Sequence, residues 1–211
     1  MKTQIPIIIF LLSTTLTTIT TTTTSNPLPP SPSPSPSPQP NESNDKDFIR
    51  TSCKTTLYPQ TCFTSLSGYS VQQDPGRLAR AAIGVTLFQA SHMAKYVANI
   101  SRHADYSCSP RAAAAVHDCY SVFRDAVDEI RGSLSEMRRL GGSHEGMRFH
   151  LSNVQTWMSA ALTNVETCTD GFDDVADDVK TDVCERAVKV KEVTSNALAL
   201  INSFASSIQT P

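Results

Sequence analysis

The stretch LSNVQTWMSAALTNVETCTDGF, Leu151 to Phe172, decides the fold. Its apolar positions Leu151, Val154, Met158, Ala161, Val165 and Cys168 step by three or four, the spacing of one buried stripe on a helix. Ser, Thr, Asn and Gln fill most of the positions between, so the opposite face is polar with little charge. Cys168 closes the stripe, and Gly171 is the expected helix stop. The stretch therefore reads as an amphipathic helix with a thiol on its inner face, near its C-terminal end.

Working outward, three more patterns have the helical period. The first spans about Pro75 to His103, with Leu78, Ala82, Val85, Phe88, His92 and Tyr96 along one side. The second runs from about Pro110 to Met137 and carries Val116, Cys119, Phe123, Ala126, Ile130, Leu134 and Met137, before Gly141-Gly142 breaks it. After Leu151 to Cys168 comes the last, about Asp177 to Ser206, with Val183, Ala187, Val190, Thr194, Ala197 and Ile201 in step, and Ile208 beyond. No segment alternates as a strand. Short connections imply antiparallel neighbours, so the expected architecture is all-α, an up-down-up-down four-helix bundle. Ahead of it, Asp45 to Ser67 holds two short segments around Tyr58-Pro59, with Cys53 and Cys62 on either side. A bridge between them would staple a helical hairpin and contribute about 2–3 kcal/mol by loop closure. Asp74-Pro75 reads as an N-cap followed by proline in the first turn.

Six cysteines stand at 53, 62, 108, 119, 168 and 184. The bundle topology brings 108, 119, 168 and 184 toward one end. Cys119 and Cys168 lie on inward stripes of adjacent antiparallel helices and form the natural pair. Cys108 and Cys184 fall in or near connecting segments, where a third bridge or two free thiols are both open.

The N-terminal part differs from the rest. Met1-Lys2, the apolar run Ile5 to Leu12 and a Thr/Ser tract to Ser25 match a secretory signal peptide, with cleavage between about Thr20 and Asn26. The apolar run is too short to span a bilayer. Residues 26–44 read as a linker, because four Ser-Pro pairs from Ser31 to Pro38 favour extended polyproline II. The folded domain is then 45–211. Asn41-Glu42-Ser43 and Asn99-Ile100-Ser101 are N-glycosylation triplets for a secreted chain. An even cysteine count behind a signal peptide points to disulfides and an extracellular location.

A formal net charge of -2, with no basic run along the sequence, argues against nucleic acid or an anionic membrane as partner. The five histidines are scattered, and neither His-Glu-x-x-His nor paired Glu-x-x-His motifs occur, so no metal or cofactor is expected. His92, placed on the apolar stripe, reads as a core histidine. Asp173, Asp174, Asp177 and Asp178 lack the glycine and terminal glutamate of a calcium loop, and acidic residues before a helix suit its dipole.

Several motifs together carry a family resemblance. They are the Cys53-x8-Cys62 hairpin with Tyr58-Pro59, Asp118-Cys119-Tyr120, Asp125-Ala126-Val127-Asp128, the run Asn153 to Ala161, Glu166 to Phe172, and Ser195 to Ile201. The chain from about Asp45 onward resembles the plant invertase and pectin methylesterase inhibitor family. The resemblance implies the same bundle and hairpin, with bridges Cys53–Cys62 and Cys119–Cys168. It implies no catalysis, a free monomer, and a one-to-one complex with a carbohydrate-active enzyme of the plant cell wall in the apoplast. Invertase inhibitors of the family carry a Pro-Lys-Phe tripeptide after the fourth core cysteine; here Thr169-Asp170-Gly171-Phe172 follows. Pectin methylesterase is therefore the expected partner and invertase the alternative. The run also looks like the pro-regions that precede a pectin methylesterase catalytic domain. Because the chain stops at Pro211, a free-standing inhibitor is expected. By match to related inhibitors, Asp125, Gln155, Thr167 and Asp170 are the expected target-binding residues. Contacts from the two carboxylates to basic groups would weaken as acid protonates them.

Overall fold

The computed structural model describes residues 40–103, 109–175 and 178–209. Six helices follow in order: α1 Pro40–Cys53, α2 Pro59–Leu66, α3 Pro75–His103, α4 Pro110–Arg138, α5 His144–Asp170 and α6 Asp178–Gln209. The first four each begin on proline, where a missing amide donor costs nothing and φ is already helical. The Asp74 carboxylate caps α3 by accepting from the Arg77 amide at 2.6 Å. Ser143 caps α5 in the same way, accepting from the Gly146 amide at 3.1 Å.

Helices α3 to α6 form a closed ring. Each packs on its neighbours in sequence, and α6 returns to α3. Phe123, Ile83, Ile130, Met158 and Ile201 fill the interior, and Phe172, just past α5, is fully buried in the same core. The hairpin α1–α2 packs against α6 and α3. Asn196 of α6, 2 % exposed, holds it there: its side chain accepts from the Tyr58 amide at 3.1 Å and donates to the Tyr58 carbonyl at 2.9 Å. Asp45 of α1 accepts from the amides of Val71 and Gln73 and from the Ser70 hydroxyl. That carboxylate fixes a connection in which Gln72 and Gln73 take positive φ of 52° and 54°, a conformation that non-glycine residues adopt at a cost. Burial alone would raise the Asp45 pKa, but these hydrogen bonds together hold it below the usual carboxylate range.

Two bridges are present. Cys53–Cys62 staples the hairpin, and Cys119–Cys168 ties α4 to α5 with Cα atoms 4.3 Å apart. Cys184 is half-buried on α6 without a disulfide among the described residues; Cys108, with which a third bridge was left open, lies outside them. Residues 1–39, which include the signal segment and most of the linker, also lie outside them.

Every apolar position expected on the α5 stripe is buried, and so are those of α4 and α6 apart from the half-buried Leu134 and Ile208. Helix α3 departs from expectation. Its buried side comprises Leu78, Ala79, Ala82, Ile83, Thr86, Ala90, Met93 and Val97, while Phe88 is 64 % exposed and His92 faces solvent. His92 is therefore not a core histidine; its ring sits 5.4 Å from that of Phe88. Large residues suggested the stripe, but Ala79, Ala82 and Ala90 occupy buried positions that the spacing of large residues does not mark. Helix α5 also starts seven residues before Leu151, with Met147 continuing the stripe one turn earlier.

The Cys119–Cys168 bridge closes a 49-residue separation and Cys53–Cys62 one of 9. Loop-closure entropy assigns them about 4 and about 3 kcal/mol respectively. Denaturant titration of the two double alanine variants should show the larger loss for 119/168. An equal or reversed order would place their stabilisation in native packing instead.

Candidate functional site

Helix α5 presents three distinct sides. The inner stripe enters the core. The outer side carries Ser152, Thr156, Ser159, Thr163 and Thr167, all exposed and uncharged, and ends at the exposed Asp170. The hydroxyls of Thr156, Thr163 and Thr167 each donate to the carbonyl four residues earlier, at 2.9, 3.2 and 2.8 Å. A partner that dries this face therefore strands few donors, which keeps its desolvation cost low.

The side toward α4 is a polar seam with a buried carboxylate. Glu136, 4 % exposed, accepts from the Asn153 side chain at 3.1 Å and pairs with His150 Nδ1 at 2.7 Å and Arg139 at 3.1 Å. The His150 and Asn153 hydrogen bonds hold its carboxyl below the usual glutamate range, against the opposing effect of burial. Two turns earlier on α4, Glu129 accepts from the Asn164 amide at 2.9 Å. There burial dominates and raises the pKa; Asn164 opposes it, and the nearby Asp125 charge adds to it. Between the two carboxylates the Trp157 indole lies against Gly132. A Cβ at position 132 would come within 2.2 Å of the ring's Cζ3 and 2.3 Å of its Cε3, so this glycine is required for the close approach.

Toward α6, Glu166 pairs with Lys191 at 2.8 Å. Gln155 donates to Asn202 at 2.8 Å. The four expected target-binding residues therefore do not share one spot. Asp125, exposed one turn before Glu129, and Thr167, three residues past Asn164, flank the α4/α5 seam. Asp170 lies one turn further along α5. Gln155 is half-buried on the α6 side. Sequence reasoning missed Glu129, Glu136, Asn164 and the Gly132–Trp157 contact. Glu129 and Glu136 stand seven apart and Asn153 and Asn164 eleven apart, both spacings that return to one helix face, which was the available signal.

The acidic segment after α5 is engaged in the scaffold. Asp174 pairs with Arg111 at 2.6 Å, and the Asp173 carbonyl accepts from Lys180 at 2.8 Å. Among the described residues no three potential ligands converge as a metal site would require. Asn99, one glycosylation candidate, is exposed on α3; Asn41 lies within α1.

Two outcomes follow from the seam. Gly132→Ala should destabilise the fold by about 1–3 kcal/mol through overpacking, reversing the gain that Ala normally brings inside a helix. Trp157 is the only tryptophan, so its emission should shift as well; a stabilised variant with unchanged emission would place the indole elsewhere. Glu136 has a lower pKa folded than unfolded, so its contribution is complete above the unfolded value and is lost as pH falls through the depressed one. Thermal unfolding of Glu136→Gln should accordingly show a flatter acid limb than the parent, and parallel curves would remove Glu136 as a source of acid lability.

Comparison with known proteins gives a consistent result. The family model described as plant invertase/pectin methylesterase inhibitor matches residues 47–200. A curated Arabidopsis thaliana protein named pectinesterase inhibitor 11 is 44 % identical over 165 residues, covering 75 % of this chain and 81 % of its own length. The 21 kDa protein of Daucus carota is 39 % identical over 163 residues, covering 75 % and 83 %. A crystal structure of a mutant pectin methylesterase inhibitor from Arabidopsis superposes with a TM-score of 0.61 over 73 % of this chain and 95 % of its own, at 20 % identity, a likeness of fold. The chain belongs to the plant invertase/pectin methylesterase inhibitor family.

Proposed function

We propose that the chain is a secreted inhibitor of plant pectin methylesterase. It acts in the apoplast by forming a one-to-one complex that covers the enzyme's pectin-binding cleft. The relatives named pectinesterase inhibitors supply the target class. The observation that carries the mechanism is the long uncharged outer face of α5, bordered by the α4 carboxylates. A cleft shaped for a polar polymer suits a hydroxyl-rich surface. The bridge, the Glu136 cluster and the Trp157 contact hold α4 and α5 rigid, so little conformational entropy is lost on docking. The inhibitor does no chemistry; it excludes the polymer by occupying its path.

Asp125, Thr167 and Asp170 form the contact on this reading, and Gln155 supports it from the α6 side. The invertase alternative is less well supported by the geometry. The only aromatic residue soon after Cys168 is Phe172, and it is fully buried, so it offers nothing to insert into another active site. The signal segment at residues 1–25 and the Ser-Pro linker deliver and space the bundle.

The test is methyl-ester hydrolysis of pectin by a purified plant pectin methylesterase with and without the full mature chain, beside an acid-invertase assay. Stoichiometric loss of esterase activity alone is expected. Thr163→Arg and the pair Asp125→Ala/Asp170→Ala should each weaken inhibition by about tenfold, roughly 1.4 kcal/mol of binding. Invertase inhibition alone would transfer the proposal to that enzyme, and unchanged inhibition by these variants would remove the α4/α5 face.

A further inference from the structure

Apart from Arg111, which pairs with Asp174, and Asp128, which lines the α3/α4 groove, the charges on α4 are sorted by side. Asp118, Asp125, Glu129 and Glu136 lie toward α5, whereas Arg124, Arg131 and Arg138 recur every seven residues on the edge toward α3. Helix α3 completes the asymmetry: it carries Arg77, Arg80, Lys95 and Arg102 and no Asp or Glu in 29 residues. Between the two helices runs a groove of about 430 Å³, floored by Ala94 and Ala98 and edged by Lys95, Arg124 and Arg131. Arg124 is propped over the Tyr120 ring, 5.7 Å from its centroid. Among the described residues no carboxylate pairs with Lys95 or Arg124. Arg131 pairs only with Asp128, at 2.8 Å, and both side chains are largely exposed, so the pair is weak and exchangeable.

We propose that this groove binds a linear acidic polysaccharide, engaging carboxylates of non-adjacent uronates along the α3/α4 seam. Arginines seven residues apart on a helix are about 10.5 Å apart along its axis. A row so sparse suits a polymer with at most one carboxylate per sugar, of which it meets every second or third. It is far too dilute for duplex DNA, which carries a charge about every 1.7 Å. Guanidinium groups also suit carboxylates by their paired N–H geometry. The choice of uronate rests on the proposed function: hydrolysis of a methyl ester leaves a carboxylate on the polymer, so the target's product is the polyanion produced beside the inhibitor. Arg124 and Arg131 lie about 100–120° around α4 from Asp125, and none of the groove residues is among the proposed esterase-binding ones. An inhibitor so built is retained on pectin that has already been de-esterified.

Binding of the full mature chain to polygalacturonate is measured beside its fully methyl-esterified counterpart and duplex DNA. Tight binding to polygalacturonate alone, falling with added salt because exposed charges are screened, is the expected result. The triple variant Lys95→Gln/Arg124→Gln/Arg131→Gln should bind about tenfold more weakly or worse, in line with the charge contacts removed. Asp128→Asn, which removes the one carboxylate from the groove, should bind more tightly. Both variants should inhibit the esterase as the parent does. Equal affinity for the esterified polymer, equal affinity for DNA, or full binding by the triple variant would each overturn the proposal. A parent chain that inhibits the esterase but does not bind polygalacturonate sinks the groove alone; a parent chain that binds polygalacturonate but does not inhibit the esterase sinks the proposed target and leaves the groove.

Discussion

Helices α4 and α5 are fastened at both ends, and the remaining structure depends on that pair staying in register. Near one end the Cys119–Cys168 bridge brings the backbones to 4.3 Å between Cα atoms. Near the other, Glu136 gathers His150, Asn153 and Arg139. The two fastenings are seventeen residues apart on α4, about 25 Å of helix. Between them Gly132 allows Trp157 to lie flat against α4. A buried carboxylate without these partners would cost several kcal/mol, so the cluster specifies a single register as well as adding stability. The other two bundle helices then close the ring by apolar packing.

Rigidity in this pair has a functional consequence. The outer side of α5 has its threonine hydroxyls bonded to its own backbone. It therefore meets a partner with these donors already satisfied. Charge sorting on α4 gives the molecule a second, opposite character. Acidic residues border the α5 side and arginines border the α3 side, although the whole chain is nearly neutral. Net charge therefore says little about what one face of this bundle attracts.

The hairpin is held by polar groups as well as by its buried Ile49 and Leu66. Asn196 pairs both ways with Tyr58, Thr61 donates to Glu192 at 2.7 Å, and Asp45 fixes the strained Gln72-Gln73 connection. None of these was legible in the sequence, because each joins residues distant along the chain through side chains that are unremarkable locally. The same holds for Glu129–Asn164 and Glu136–Asn153. Their helical spacing could be read, but nothing in either helix alone says which face meets which.

What the sequence determined by itself was the number of bundle helices, their antiparallel order, both bridges and the buried stripes of α4, α5 and α6. Large apolar residues at regular spacing carry that information locally, and short connections leave few topologies. It did not determine the phase of α3, the position of His92, or the basic groove. Alanine serves both a tight seam and an ordinary helix surface, so only the neighbours of α3 decide which side is buried. Likewise Lys95, Arg124 and Arg131 are isolated charges along the chain. Packing α3 against α4 makes them one surface, because electrostatic fields add through space and not along the sequence.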